Sequence, residues 1–419
     1  MHQADLALPV LIFTGLFMLT TGSAIWLKFL RVPYTIGLVV IGMALGLLAK
    51  YSDFLAPVLQ VELTHDLIMY VMLPVLIYDA AINIKLPMLI KELVPVLMLA
   101  IVGVVLSTLV VAGLIGNYTP MTMAGALLFG ALISATDPVA VIALFKEVGA
   151  PERMALLMDA ESLLNDATAI VMFGIVMAVL QTGQGFGLDT AFMAIWDFCR
   201  VFFGGIAVGA ILGIAMLFLL RLGHAIPYVQ ISLTTILAYS SFIIADHVFG
   251  MSGVMSTIAA GIVTRTWSKK VLCEPVQQYL GPYWEFMAFV ANSFIFLLLG
   301  MQEDFLFKDM DHLYENTPFL LLTIAVVLFA RFLVVYLLLP ISNRLPKSSP
   351  VDNKAKAVMF WGGLRGVVPV ALMLSIPVDM PERGAIIHMT LAVILFSLLI
   401  QGTTIERLMD FLKLKNPSR

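Results

Sequence analysis

Asp79, Asp137, Glu161, Asp166, Arg331 and Arg365 each lie deep inside a long apolar run of this chain. Arg200, Asp246 and Glu285 lie in such runs too, nearer their ends. An ionisable group at the middle of a bilayer costs about 2.5–3.5 kcal/mol on insertion scales, so its default reading is function. Acids and bases occur together, and pairing offsets part of that cost. Polar glue between helices is a sufficient account of one Asp–Arg pair, but a poor account of so many charges beside helix breakers.

The first breaker stands at Ser134-Ala135-Thr136-Asp137-Pro138. Pro138 lacks an N–H and disfavours the helical conformation at Asp137. Backbone groups around Thr136 are therefore expected to lose their intrahelical partners. Within a membrane, such backbone is tolerated only where it is buried in protein or lines a wet cavity. Free carbonyls, a hydroxyl and a carboxylate would converge there, and hard oxygen ligands suit a small hard cation. The next run carries Glu161-Ser162-Leu163-Leu164-Asn165-Asp166. Glu161 and Asn165 are four residues apart, as are Ser162 and Asp166, so each pair shares a helix face. Asp166 falls midway along an otherwise apolar helix, where burial disfavours the charged form of a carboxyl and lets proton and cation compete for it. Asn165 is neutral, so the pair offers one titrating group. A second breaker, Gly362-Gly363-Leu364-Arg365-Gly366 with Pro369, surrounds Arg365. Glycines also serve plain close packing of membrane helices; the position of this breaker decides between the readings.

Composition says what must hold these residues. Of 419 residues, 61% are hydrophobic and 12% charged, against about 25% charged in a soluble domain; mean hydropathy is +1.01. A soluble surface cannot be covered from that supply. Net charge is −3, which gives no basic surface for nucleic acid. Two cysteines, Cys199 and Cys273, make neither a disulfide framework nor a CxxC site. The chain reads as an all-α polytopic membrane protein in the lipid bilayer. Thirteen spans are expected, near 7–27, 34–49, 64–82, 92–115, 121–146, 152–180, 191–220, 227–248, 251–267, 280–301, 317–340, 355–376 and 383–404. No basic region precedes the first, so it reads as a span, not a cleaved signal peptide.

Lys and Arg concentrate in alternate connections. The exceptions among the 24 are Lys50, Lys308 and Arg383 on the opposite side, and Arg200, Arg331 and Arg365 within spans. The bias predicts an external amino terminus and a cytoplasmic carboxyl terminus. With span seven as a linker, spans 1–6 and 8–13 form two inverted six-helix halves. The two breakers then fall in the fifth span of each half, spans 5 and 12. Interrupted segments at corresponding positions of inverted halves point to a transporter's central site.

At Ala135-Thr136-Asp137-Pro138, Glu161-Ser162-Leu163-Leu164-Asn165-Asp166 and Gly362-Gly363-Leu364-Arg365-Gly366, the chain resembles the monovalent cation/proton antiporter family. It is similar to the prokaryotic NhaP-type sodium/proton antiporters and the animal NHE exchangers. Leu73-Pro74 through Asp79, and Trp284-Glu285 through Asn292-Ser293, resemble the family's third- and tenth-span motifs. The likeness covers nearly the whole chain.

The resemblance implies a secondary active antiporter that exchanges Na+ or Li+ for H+ by alternating access, with no cofactor and no enzymatic chemistry. It implies dimerisation-domain spans in 1–91 and 227–316 and core-domain spans in 92–180 and 317–419, the last with a short cytoplasmic tail; 181–226 would be the linker span. It also implies a homodimer in a prokaryotic inner membrane. Asp166 would bind cation and proton, with Ser162 and the Thr136 backbone as Na+ ligands. Asp137, Asn165 and Asp79 would act at or near the site. Glu161 and Arg365 would form a buried pair, with Arg331 a structural partner near the crossing. The Asn165-Asp166 pair is the pattern of the family's electroneutral branch. Potassium/proton exchange is the alternative within the family. A cation channel and an intramembrane protease, the latter from Gly250-Met251-Ser252-Gly253 with His388 as base, are rival readings.

Overall fold

The computed structural model describes residues 7–30, 33–137, 141–142, 145, 151–182, 187–223, 226–302, 310–345 and 350–414, with side chains from 318 onward in the 310–345 stretch. The architecture is helical throughout these residues. Among the described residues, eight helices are long and apolar enough to cross a membrane: α1 (Ala7–Phe29), α4 (Leu93–Tyr118), α6 (Glu152–Thr182), α7 (Asp189–Leu222), α8 (Pro227–Val248), α10 (Glu274–Met301), α11 (Pro318–Ser342) and α14 (Arg383–Phe411). Three shorter apolar helices join them: α2 (Tyr34–Lys50), α3 (Leu67–Asn83) and α5 (Met123–Ile133). α9 (Gly253–Val271) ends in Lys269 and Lys270. The remaining pair, α12 (Asn353–Trp361) and α13 (Val367–Leu374), is split by an unwound stretch. This is an integral membrane protein, and its helices satisfy their backbone internally as the hydrocarbon requires.

Helix ends depart from expectation where side chains extend them. α10 begins at Glu274 because Cys273 N donates to Gln230 Oε1 (2.9 Å) and Pro275 stands in the first turn. α14 runs on to Phe411 because Ile405 and Met409 are buried along one side of an otherwise polar stretch. Among the described residues, widened π-helical turns occur in five helices, at Leu67–Met72, Met98–Val102, Ile244–Val248, Val334–Leu338 and Ser397–Gly402. Hydropathy has no signature for them.

Packing divides by neighbourhood. α2 lies along α10; α3 packs on α9 and α10; α7 lies along α9. Elsewhere α4 packs on α5 and α11, α5 on α6, and α14 on α11 and α13. α6 touches both neighbourhoods, since it also meets α3, α7 and α9.

Small residues permit the closest of these contacts. A Cβ on Gly42 would meet the Leu297 carbonyl, and one on Gly300 would meet the Val39 carbonyl. The backbones of α2 and α10 thus touch at two glycines, as small residues allow in membrane helices. Gly300→Val should force the two helices apart and cost about 1–3 kcal/mol, read as a lower melting temperature of the purified protein in detergent; an unchanged melt would refute the contact.

Candidate functional site: a crossing of two unwound segments

α5 starts from a built cap. The Thr122 hydroxyl accepts from Gly125 N (3.1 Å), while Glu382 accepts from Thr122 N (2.6 Å) and Thr122 Oγ1 (3.0 Å). A carboxylate is favourable at a helix N-terminus. The helix stops at Ile133, Ser134 caps it, and Ala135–Asp137 leave helical geometry. Pro138, to which the sequence reading attributes the break, lies outside the described residues. The second unwound stretch, Gly362–Gly366, crosses the first.

The crossing is joined by hydrogen bonds. Asp137 N donates to the Leu364 carbonyl (2.8 Å). Arg365 Nη1 donates to the carbonyls of Ser134 (3.2 Å) and Ala135 (2.9 Å). Arg365 N donates to Ser397 Oγ (3.1 Å) on α14. α6 supplies the rest: Ser162 Oγ donates to the Thr136 carbonyl. Asn165 Nδ2 donates to Thr136 Oγ1 (2.6 Å), and Asn165 Oδ1 accepts from Thr136 N (3.2 Å). Backbone groups that left the helices have thus found partners, as burial away from water demands.

Glu161 faces the other way. It forms a two-pronged pair with Arg331 of α11, whose Nη1 reaches Oε1 and whose Nη2 donates to Oε2 (3.1 Å). Glu161 is 2% exposed and Arg331 6%. Arg331 Nη2 also donates to the Met359 carbonyl (2.9 Å) at the end of α12. The expected Glu161–Arg365 pair is therefore corrected: Glu161 pairs with Arg331, and Arg365 is turned onto the carbonyls of the first break. Gly363 explains the choice. A Cβ there would stand 2.7 Å from Arg331 Nε, so only a glycine lets that guanidinium pass to Glu161. Gly366 does the same for Asp137, whose side chain occupies the space of a Cβ.

Thr136, Asp137, Ser162, Asn165 and Asp166 are brought together. Thr136, Ser162 and Asn165 are buried, while Asp137 and Asp166 are part-exposed. The Asp166 carboxylate accepts no hydrogen bond from the described residues, and the charges that act on it are Asp137 and Arg365. Asp79, on α3, is also part-exposed and accepts from Asn83 Nδ2 (3.3 Å), one turn along its own helix. Oxygen donors around an unengaged carboxylate can hold a small hard cation or a proton in the same place. Among the described residues no three His, Cys, Asp or Glu converge as a metal centre. Sequence reasoning missed Ser397, Glu382 and the Leu364 carbonyl; a serine, an end-of-helix acid and a backbone oxygen carry no signal of their own in a single sequence.

Ser252 Oγ, the nucleophile of the protease reading, caps α9 by accepting from Met255 N (3.2 Å). The family model described as sodium/hydrogen exchanger, transmembrane, matches residues 15–411. The chain belongs to the sodium/hydrogen exchanger family. It is 35% identical over 387 residues to the Na(+)/H(+) antiporter ApNhaP of Aphanothece halophytica, covering 92% of this chain and 71% of the relative. It is 32% identical to the Na(+)/H(+) antiporter NhaH of Halobacillus dabanensis, covering 91% and 92%. The fold matches the solved sodium proton antiporter MjNhaP1 of Methanocaldococcus jannaschii with a TM-score of 0.74 at 22% identity, over 96% of this chain and 98% of that one. The family is one of transporters, not enzymes.

Arg331→Ala leaves Glu161 charged and buried without a partner, which costs about 3–5 kcal/mol. It should melt well below wild type, and Glu161→Gln added to it should restore part of the loss. A double variant no more stable than Arg331→Ala alone would refute the pairing.

Proposed function

We propose that the chain exchanges one Na+ or Li+ for one H+ across the membrane as a secondary active antiporter, with both ions competing for Asp166. The observation that carries this reading is the Asp166 carboxylate, which has no hydrogen bond from the described residues, beside the Thr136 break. Two relatives named as Na(+)/H(+) antiporters support the choice of ions. Asp166 carries the load. Thr136 and Ser162 supply oxygens to Na+, and Asn165 holds Thr136 in place. Asp137 acts beside the site and Asp79 faces it from α3. Glu161, Arg331 and Arg365 hold the helices together.

The wider architecture follows the same reading. The chain crosses thirteen times, counting α12 and α13 as one interrupted span, in two inverted halves joined by α7. Helices α4, α5, α6 and α11–α14 form a core. The α1–α3 and α8–α10 group forms the dimerisation domain of a homodimer. The amino terminus is external and the carboxyl terminus cytoplasmic, in a prokaryotic plasma membrane.

Asp166→Asn removes the titrating group and should abolish sodium-driven proton flux in proteoliposomes while leaving a folded protein. Normal flux in that variant would sink the assignment. Sodium, lithium and potassium tested separately in the same vesicles separate this reading from potassium/proton exchange.

Electrical behaviour gives a second test. Asn165 cannot titrate, and Glu161 is held by Arg331. One proton then replaces one sodium ion, and the loaded site carries the same charge either way. Moving one elementary charge through 100 mV is worth about 2.3 kcal/mol. The sodium and pH gradients at which flux stops should therefore not move under an imposed diffusion potential. A shift would mean that a second proton travels, with Asp137 and Asp79 the candidates to carry it.

A further inference from the structure

A cavity of about 510 Å³ opens between the second half of α6, the start of α7 and the end of α8. That volume is of the class that holds small organic ligands. Ile170, Gly174 and Ala178 of α6 line it at four-residue intervals, opposite Met193 of α7. Its charged lining residues are Asp197, Arg200 and Asp246.

α7 sets the depth of this cavity in the bilayer. Residues 201–220 contain no charged or polar side chain, and Arg200 and Arg221 bound them. Twenty helical residues at about 1.5 Å each span the roughly 30 Å of hydrocarbon. Arg200 therefore stands at its edge, level with lipid headgroups. Trp196, 66% exposed, sits one turn before it, where membrane interfaces concentrate tryptophan.

The charges differ in their commitments. Arg200 Nε pairs with Asp197 Oδ1 at 3.4 Å, and both side chains are about half exposed (47% and 50%). Such a pair is weak, and a guanidinium has donors beyond the one it uses there. Asp246 Oδ2 accepts from Tyr70 Oη (3.1 Å), which orients a carboxylate that can accept several further bonds. The wall thus offers a guanidinium for a phosphate and two carboxylates for a cation, above an apolar pocket.

We propose that this cavity binds a phospholipid with a primary-ammonium headgroup, of the phosphatidylethanolamine class. Arg200 takes its phosphate, Asp246 its ammonium, and the apolar walls part of an acyl chain. A choline headgroup cannot donate hydrogen bonds to Asp246, and a net anionic lipid meets two carboxylates against one guanidinium. The lipid wedges α6 against α7 and α8. Ile170 lies one helical turn beyond Asp166, so the occupant couples bilayer composition to exchange. That coupling rests on the exchange reading above; the lipid site does not.

The test takes delipidated full-length protein in detergent, adds phosphatidylethanolamine, phosphatidylcholine or phosphatidylglycerol, and counts retained lipid by native mass spectrometry. Phosphatidylethanolamine should be retained in preference, and about tenfold more weakly in Asp246→Asn and Arg200→Gln, each of which loses a charge-assisted hydrogen bond. Gly174→Leu is the steric variant: a Cβ at Gly174 meets nothing within 4 Å, so the larger side chain fills the cavity without disturbing α6. It should abolish retention at an unchanged melting temperature. In phosphatidylcholine vesicles, added phosphatidylethanolamine should speed exchange by wild type and not by Gly174→Leu. Equal retention of the three lipids, a preference for phosphatidylglycerol, or retention unchanged in all three variants would overturn the site. Preferential retention without exchange in any lipid would leave the site standing and overturn the exchange reading instead.

Discussion

A bilayer offers no water to a backbone group that leaves its helix, and each such group unsatisfied costs several kcal/mol. Breaking two helices at mid-membrane is possible here because each break is completed by something that is not its own helix. The Leu364 carbonyl takes the Asp137 N–H, and the Arg365 guanidinium takes two carbonyls of the first break. Ser162 and Asn165 of α6 close around Thr136 from the other side. Each break is completed in part by the other, the first also by α6 and the second also by Ser397 of α14. The oxygen-rich site is a by-product of that mutual completion.

The same geometry sorts the charges. Glu161 and Arg331 are bound face to face and deeply buried, so their charges are fixed parts of the frame. Arg365 is committed to carbonyls and acts on Asp166 and Glu161 only through space. Asp137 is anchored at its backbone by Leu364 and fits because residue 366 is glycine. Asp166 is left with no hydrogen bond from its described neighbours, on the helix that holds Thr136 in position. A carboxylate in that position can change its load without unmaking the frame.

Much of this was legible in one dimension. Hydropathy places the helices, because spanning segments are long and their connections short. Thr136-Asp137 and Gly362–Gly366 announce the breaks, because helix-incompatible residues beside charges have few other uses in a membrane. Four-residue spacing puts Ser162 and Asp166 on one face, but it also pairs Glu161 with Asn165, and in the structure Glu161 turns to Arg331 while Asn165 turns to Thr136. The partner of Glu161 was not legible. Arg331 and Arg365 both lie deep in their runs, and a sequence does not rank them; the choice turns on the missing Cβ of Gly363, a three-dimensional fact. The π-helical turns escaped for a related reason, since one extra residue in a turn leaves hydropathy unchanged. Ser397 and Glu382 act through contacts with residues far away in the chain, and neither type stands out in composition.

What forces exchange over leakage follows from where Asp166 sits. On the proposed reading, Asp166 loaded with sodium or with a proton adds no net charge to the apolar surroundings of α6. Empty, it adds one negative charge beside Asp137, which Arg365, hydrogen-bonded to the Ser134 and Ala135 carbonyls, opposes only through space. A bare charge at mid-membrane costs about 2.5–3.5 kcal/mol, and each 1.4 kcal/mol is a factor of about ten. The empty site is therefore suppressed by roughly a hundredfold in any conformation that removes it from water. Neither Arg365 nor Arg331 forms an ion pair with Asp166, and on the proposed reading an arginine that did so would open a path for the unloaded protein to return.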